Sequence, residues 1–394
     1  MKIVNGIVFE QDNTFRQRDV FTKGVFFSDS SDDEITIDAG GNYVIPGLID
    51  IHVHGCHNND FCDATYESIS DFLKYEASVG VTSICPTTMT VPESKLLDVA
   101  KITGEYFRKI KEDKDAIKEH IYEASFLGIN MEGPFIAPEK KGSQEASDIK
   151  LPDAGFVRKM QELSGGKICM VDIAPEREGA MEFIRELKDE MVISIAHTNA
   201  DYDTAMKAME LGATHVTHLY NAMSPFHHRQ PGLIGAVIDN KDCMAELITD
   251  GIHHHASVDR ATFTILGQDR VVLISDSMRA TGMPDGEYEL GGHKVFVKGK
   301  KATLSDGTIA ASVSNLYDCM VTCIKDIKIP IEAAIKAATI NAAKAVRMDN
   351  MYGSISIGKY ADALIVDKDD LKLKNVILRG NVLEMLRREV LYEE

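Results

Sequence analysis

Apolar residues along this chain come in short, nearly continuous runs that end abruptly in polar ones. Eight such runs follow one another: Gly47–Gly55, Val81–Thr88, Ser125–Phe135, Lys167–Glu176, Met191–Thr198, Thr214–Asn221, Cys243–Gly251 and Val271–Met278. A run without polar alternation reads as a strand buried on both faces, the texture of a parallel sheet. Stretches with helical spacing separate most of them: Tyr66–Val79, Glu93–Lys118, Met181–Glu190, Ala200–Gly212 and Val258–Leu266. Strands alternating with helices in this number predict an α/β fold, a (β/α)8 TIM-type barrel. The chain ends differ. Lys2–Glu10, Asp19–Ser28 and Glu34–Asp38, then Ala361–Asp367 and Leu371–Arg379, are short strand-like runs separated by turns. They predict a small β-sandwich domain built from both termini, residues 1–46 plus 346–394, beside a barrel over residues 47–345.

Composition narrows the functional classes. Of 394 residues, 44% are hydrophobic and 26% charged, enough apolar material for a core and too much for a disordered chain. No apolar run approaches the ~18 residues of a membrane span. The opening residues alternate like a strand and turn polar too early for a signal peptide. The formal charge of −18 argues against a nucleic-acid partner. Seven scattered cysteines without a Cys-x-x-Cys pair predict reduced thiols in a cytoplasmic protein, and no cysteine zinc finger. Cys319 and Cys323, spaced for one face of a helix, read as small buried hydrophobes.

In such a barrel the chemistry sits where the strands end at their C-terminal side. The run ends carry His52 and His54, Glu132, His197, His218, Asp250 with His253-His254-His255, and Asp276. His52 and His54 share one face of a strand and could chelate one cation. Together with Glu132, His197, His218 and Asp276 they predict a metal site, with imidazole and carboxylate donors suiting zinc or iron(II). Asp276, directly after a buried strand, reads as the general base beside a metal-activated water. Arg229, on the loop after the sixth run, offers a fork for an anionic group in an otherwise acidic protein. His227 and His228 read as plain loop residues.

At this point the chain resembles the N-acetylglucosamine-6-phosphate deacetylase family of the amidohydrolase superfamily. The matching segments span nearly the whole chain in family order. They are Pro46-Gly47-Leu48-Ile49-Asp50-Ile51-His52-Val53-His54-Gly55, Glu132-Gly133-Pro134-Phe135, Ala196-His197-Thr198, Thr217-His218-Leu219-Tyr220-Asn221-Ala222-Met223, Asp250-Gly251-Ile252-His253, Ser275-Asp276-Ser277-Met278 and Gly353-Ser354-Ile355. The resemblance implies hydrolysis of N-acetyl-D-glucosamine 6-phosphate to D-glucosamine 6-phosphate and acetate. It implies Glu132, His197 and His218 as ligands of the main metal, Asp276 as the catalytic acid/base, and His52 and His54 as ligands that permit a second metal. It also implies contact of Gln144, Asn221, Ala222, Arg229, His253 and Ala310 with the amino-sugar phosphate, Arg229 from the neighbouring subunit of a homodimer.

Two departures stand out. Gln144 takes the place of a histidine in the Lys-Lys-Gly-x-His segment, so it donates a hydrogen bond without charge. Ala311 stands where the family often has glycine and is expected to add a methyl near the acyl pocket. Two alternatives stay open. One is amidohydrolase chemistry on another N-acyl sugar or a cyclic amide, although no strand-end lysine presents itself for a bridging role. The other is a non-catalytic sugar-phosphate sensor.

Overall fold

The computed structural model describes residues 1–32, 34–112 and 120–383. Its centre is a parallel barrel of eight strands, numbered here in barrel order: β1 Leu48–Val53, β2 Val81–Thr88, β3 Ile129–Met131, β4 Ile168–Ile173, β5 Val192–Ile195, β6 His215–Val216, β7 Met244–Ile248 and β8 Val271–Ile274. Each pairs in parallel with its neighbour, with registers such as Ile173↔Ile195, Val216↔Ala245 and Ile248↔Ile274. The ring closes between β8 and β1, where the Asp276 N–H donates to His52 O at 3.0 Å. All eight residues of β2 and all six of β1 are buried, as strands covered on both faces require.

Among the described residues one longer helix follows each strand: α1 Tyr66–Ser78, α2 Glu93–Glu112, α3 Ala154–Leu163, α4 Ala180–Leu187, α5 Tyr202–Leu211, α6 Gly232–Asp239, α7 Ala256–Leu266 and α8 Leu316–Lys325. Several begin on a side-chain cap: Thr65 accepts from Ser68 N–H, Asp153 from Phe156 N–H, Asp201 from Thr204 N–H, and Asn315 from Asp318 N–H. The helix expected over Glu93–Lys118 is seen to Glu112, and its last residues lie outside the described ones. The expected strand Ser125–Phe135 is interrupted, Ser125–Phe126 pairing only with β2. Cys319 and Cys323 are buried on α8. Among the described residues all seven cysteines are free, and no helix is long and apolar enough to cross a membrane.

Both chain ends enter one eight-stranded sheet. Its middle strand Tyr43–Pro46 pairs in parallel with Lys2–Phe9 and antiparallel with Ala363–Val366. Alternating side chains divide between two cores. Val44, Ile365 and Ile377 pack with Ile3, Val20 and Ile355, whereas Ile45, Leu364 and Val376 join the barrel's hydrophobic core. A second, antiparallel sheet follows β8: Gly286–Leu290, His293–Lys298, Lys301–Thr303 and Ile309–Ala311. It leans over the barrel mouth and adds a wall to the cavity described next.

Candidate active site

The barrel brings six of the predicted residues to one point at its C-terminal mouth. Glu132 Oε1 lies 3.0 Å from His197 Nε2 and 3.0 Å from His218 Nε2, and the two imidazole nitrogens are 3.2 Å apart. Beside this triangle stand His52, His54 and Asp276. His54 Nε2 is 3.3 Å from Asp276 Oδ1 and 3.4 Å from Glu132 Oε2. His52 Nε2 lies 3.6 Å from Glu132 Oε1 and 3.7 Å from Asp276 Oδ1. Glu132 thus touches both triads, and all six residues are buried.

The outer ring nitrogens fix how three of the four imidazoles point, His218 Nδ1 having no hydrogen-bond partner among the described residues. His197 Nδ1 donates to Lys140 O at 2.7 Å, His54 Nδ1 to Thr87 O at 3.2 Å, and His52 Nδ1 to Glu246 Oε2 at 3.0 Å. A proton held at Nδ1 leaves the Nε2 lone pair facing the centre, the arrangement of metal-binding histidines. The backbone is held just as firmly. His197, His218 and Asp276 have φ of 45°, 27° and 51°, a region side-chain-bearing residues rarely adopt. Such conformations persist where neighbours over-determine them. The Asp276 N–H donates to His52 O and its carbonyl accepts from Ser312 N–H; His197 O accepts from Ala137 N–H.

The electrostatics favour positive charge at this point, and His52, His54 and His218 are all shifted, against their burial, toward their protonated forms by the carboxylates beside them. Burial works against charge on Glu132, yet the facing Nε2 edges of His197 and His218, where a proton or a metal cation would sit, hold it well below the usual carboxylate range. Asp276 is likewise held low against its burial by His54 and His52. Two carboxylates and four imidazoles therefore converge at one buried point. His52 Nε2 is buried without a hydrogen-bond partner. Buried polar atoms seldom stay unpaired, and this donor set fits a divalent metal.

A cavity of about 250 Å³ opens above these residues. Gln144, Asn221, Ala222, His253 and Ala310 line it, as do His54, Glu132, His197, His218 and Asp276. Gln144 is committed on both sides of its amide: Oε1 accepts from Thr90 N–H at 2.6 Å and Nε2 donates to Glu132 Oε2 at 2.5 Å. His253 is fixed by Asp250, whose carboxylate accepts from its Nδ1 at 2.8 Å and from its N–H at 3.0 Å. Of the other two histidines in that run, His254 accepts from Asn221 Nδ2 at 2.9 Å, and His255 caps α7. Arg229 is not brought to the cavity of its own chain; it stands on an exposed loop against His228, at 2.9 Å. Ala311 does not line the cavity either. It is buried in the main core, whereas its neighbours Ile309 and Ala310 line the cavity.

Sequence reasoning did not single out Met89, Thr308 and Ile309 in the cavity wall, nor Glu246 beneath it. Met89 and Thr308 come from loops with no motif, and Ile309 from the start of a three-residue strand. Glu246 carried a readable signal: it is the one charge inside the apolar stretch Met-Ala-Glu-Leu-Ile, and a buried charge needs a partner.

Residues 43–383 match the amidohydrolase family. The chain is 38% identical over 350 residues to the N-acetylglucosamine-6-phosphate deacetylase of Bacillus subtilis (strain 168), covering 86% of this chain and 84% of the relative. To that of Lysinibacillus sphaericus it is 35% identical, covering 88% and 87%. The fold is similar to a solved N-acetyl-D-glucosamine-6-phosphate deacetylase variant from Mycobacterium smegmatis in complex with N-acetyl-D-glucosamine-6-phosphate. That match has a TM-score of 0.87 at 26% identity and covers 97% of this chain and 98% of that one. The chain belongs to the amidohydrolase family, among the N-acetylglucosamine-6-phosphate deacetylases.

Proposed function

We propose that this protein hydrolyses N-acetyl-D-glucosamine 6-phosphate to D-glucosamine 6-phosphate and acetate, in the catabolism and recycling of amino sugars. The observation that carries this reading is the convergence of Glu132, His197 and His218 with Asp276 on the floor of one cavity. The relatives' names and the sugar phosphate in the M. smegmatis complex support the choice of substrate.

Glu132, His197 and His218 would hold the main ion, and His52, His54 and Asp276 offer a second place. Imidazole with carboxylate suits zinc or iron(II) better than magnesium or calcium. When bound, a divalent cation supplies Lewis acidity, lowering the pKa of water and polarising the acyl oxygen. The chain's own groups do the rest. Asp276 takes the proton of the attacking water and delivers it to the nitrogen as the C–N bond breaks, so the water oxygen ends in acetate. Gln144 steadies Glu132 and borders the acyl group. Ala310 walls the same side, and His253, oriented by Asp250, faces the substrate. Asn221 and the Ala222 backbone contact the sugar phosphate.

Arg229 completes the phosphate site from the neighbouring subunit of a homodimer. Its loop supports this placement: residues 225–230 are exposed throughout, and Phe226 is 55% exposed at the tip. On the same reading the chain divides into a terminal-sheet unit, 1–46 with 346–394, and a barrel unit, 47–345. The free cysteines agree with a cytoplasmic location.

Phosphate recognition supplies the test. Charge-assisted contacts are worth about 1.5–3 kcal/mol each. The zinc- or iron-loaded protein should therefore run on unphosphorylated N-acetylglucosamine with kcat/KM lower by roughly 100-fold or more. Equal efficiency on both would remove the sugar phosphate from the reading.

A further inference from the structure

Glu246 lies on β7 with its side chain fully buried, 0% exposed, on the barrel side away from solvent. Its Oε2 accepts from two residues of different triads: His52 Nδ1 at 3.0 Å and the backbone N–H of His218 at 3.0 Å. Its own carbonyl accepts from Leu219 N–H at 3.0 Å. Two backbone N–H groups donating to this one residue thus clamp the turn that holds His218 at a φ of 27°. The same carboxylate is the hydrogen-bond partner that keeps a proton on His52 Nδ1 and leaves Nε2 bare toward Glu132 and Asp276.

Among the described residues the ion-pair partners of Glu246 are imidazoles alone, His52 and, at 3.8 Å, His215. A buried carboxylate without a guanidinium or ammonium is a poor choice for stability, since an apolar side chain of similar volume avoids the desolvation cost. Its position explains its presence. It sits where it can orient one imidazole, raise that imidazole's basicity and lock the turn carrying another.

We infer that Glu246 is a positioning residue that couples the two triads by orienting His52 as a metal ligand and pinning His218. The inference rests on the reading of these triads as metal holders. The test uses metal-free full-length protein and zinc alone, with bound zinc measured by equilibrium dialysis and elemental analysis. Four proteins are compared: wild type, Glu246→Gln, His52→Gln and the double variant. Loss of an outer-shell carboxylate weakens metal binding about 10–100-fold, and Glu246→Gln should show a weakening of that size with its metal-free melting temperature close to wild type. The double variant should be weakened by clearly less than the product of the single effects, because Glu246 acts partly through His52.

Unchanged zinc affinity in folded Glu246→Gln, or fully multiplicative losses, would overturn the inference. Should Glu246→Gln fail to fold, Glu246→Asp carries the test, since it keeps the charge but withdraws it by one methylene; normal zinc affinity there would overturn the inference equally. Wild-type protein that binds no zinc or iron(II) would instead overturn the reading of the triads.

Discussion

At the scale of single residues the site is a set of groups that hold one another in place. Gln144 is the plainest case. The family resemblance assigns its position to the substrate, yet its amide also spans Thr90 N–H and Glu132 Oε2. Gln144→Leu would leave the Thr90 N–H without a partner and strip Glu132 Oε2 of its amide donor, with only His54 Nε2 at 3.4 Å beside it among the described residues. Each unpaired buried group costs about 1–3 kcal/mol, so the metal-free variant should lose on the order of 2 kcal/mol or more. A urea midpoint lowered with an unchanged slope would record that loss; an unmoved midpoint would mean the amide holds neither group. Gly133 protects the same linkage. It has a φ of 78°, and a Cβ there would lie 2.1 Å from Thr90 Oγ1. Gly133→Ala should displace Thr90 and, through it, Gln144 and Glu132. The expected result is a several-fold drop in zinc affinity together with lower stability, by about 1–3 kcal/mol. Wild-type zinc affinity would show that Glu132 does not depend on this turn.

At the scale of elements, strand ends make the chemistry and the terminal sheet seals the barrel's flank. Parallel strands all deliver their C-terminal residues to one mouth, which is why His52, Glu132, His197, His218 and Asp276 could be grouped from sequence before any contact was known. Other elements were hidden for physical reasons. α6, Gly-Leu-Ile-Gly-Ala-Val-Ile-Asp, is mostly buried and apolar all round, so it has no period to separate it from a strand. β6 is only two residues long within a run of eight. The sheet over the mouth had a legible alternation in His293–Lys298, where Val295 and Val297 are buried between exposed residues, but it interrupts the strand–helix rhythm.

One prediction belongs to the terminal sheet. Asp362 accepts from Arg379 N–H at 2.7 Å, and its carbonyl accepts from Gly47 N–H at 2.9 Å, which ties the sheet to the start of the barrel. Burial pushes its carboxyl up to about 6, against the opposing pull of Arg379. A carboxyl whose folded-state pKa exceeds its unfolded one binds its proton more tightly when folded. Ionising it therefore costs stability, growing as pH rises from about 4 through 6 and constant above. Asp362→Asn keeps the acceptor without the charge. It should gain on the order of 1–3 kcal/mol at pH 7.5 and nothing at pH 4. A difference from wild type that does not change with pH would contradict this.

At the scale of the whole molecule the acidic surface and the phosphate must be reconciled. A formal charge of −18 repels an anionic substrate at long range, but at physiological ionic strength the screening length is about 8 Å. Local groups then decide, and Arg229 is the residue that its own chain leaves outside the cavity. The sequence showed a guanidinium on the loop after the sixth run, and the resemblance implied that it acts from a neighbouring subunit. If Arg229 acts across a two-fold interface, mixed dimers of Arg229→Ala and Asp276→Asn chains contain one intact site. Unfolding and co-refolding the two inactive variants should then restore about a quarter of wild-type activity. No recovery, with mixed dimers demonstrated, would place Arg229 outside catalysis in trans.

The central claim is that these residues hydrolyse an acetamide on a sugar phosphate with a metal and Asp276. Its most direct test is acetate release from N-acetylglucosamine 6-phosphate by metal-free protein, by protein loaded with zinc or iron(II), and by loaded Asp276→Asn. Release should require the metal and fall by about 10²–10⁴-fold in the variant, with metal content unchanged at the Glu132, His197 and His218 site. Release at the wild-type rate by Asp276→Asn, or equally without metal, would contradict it.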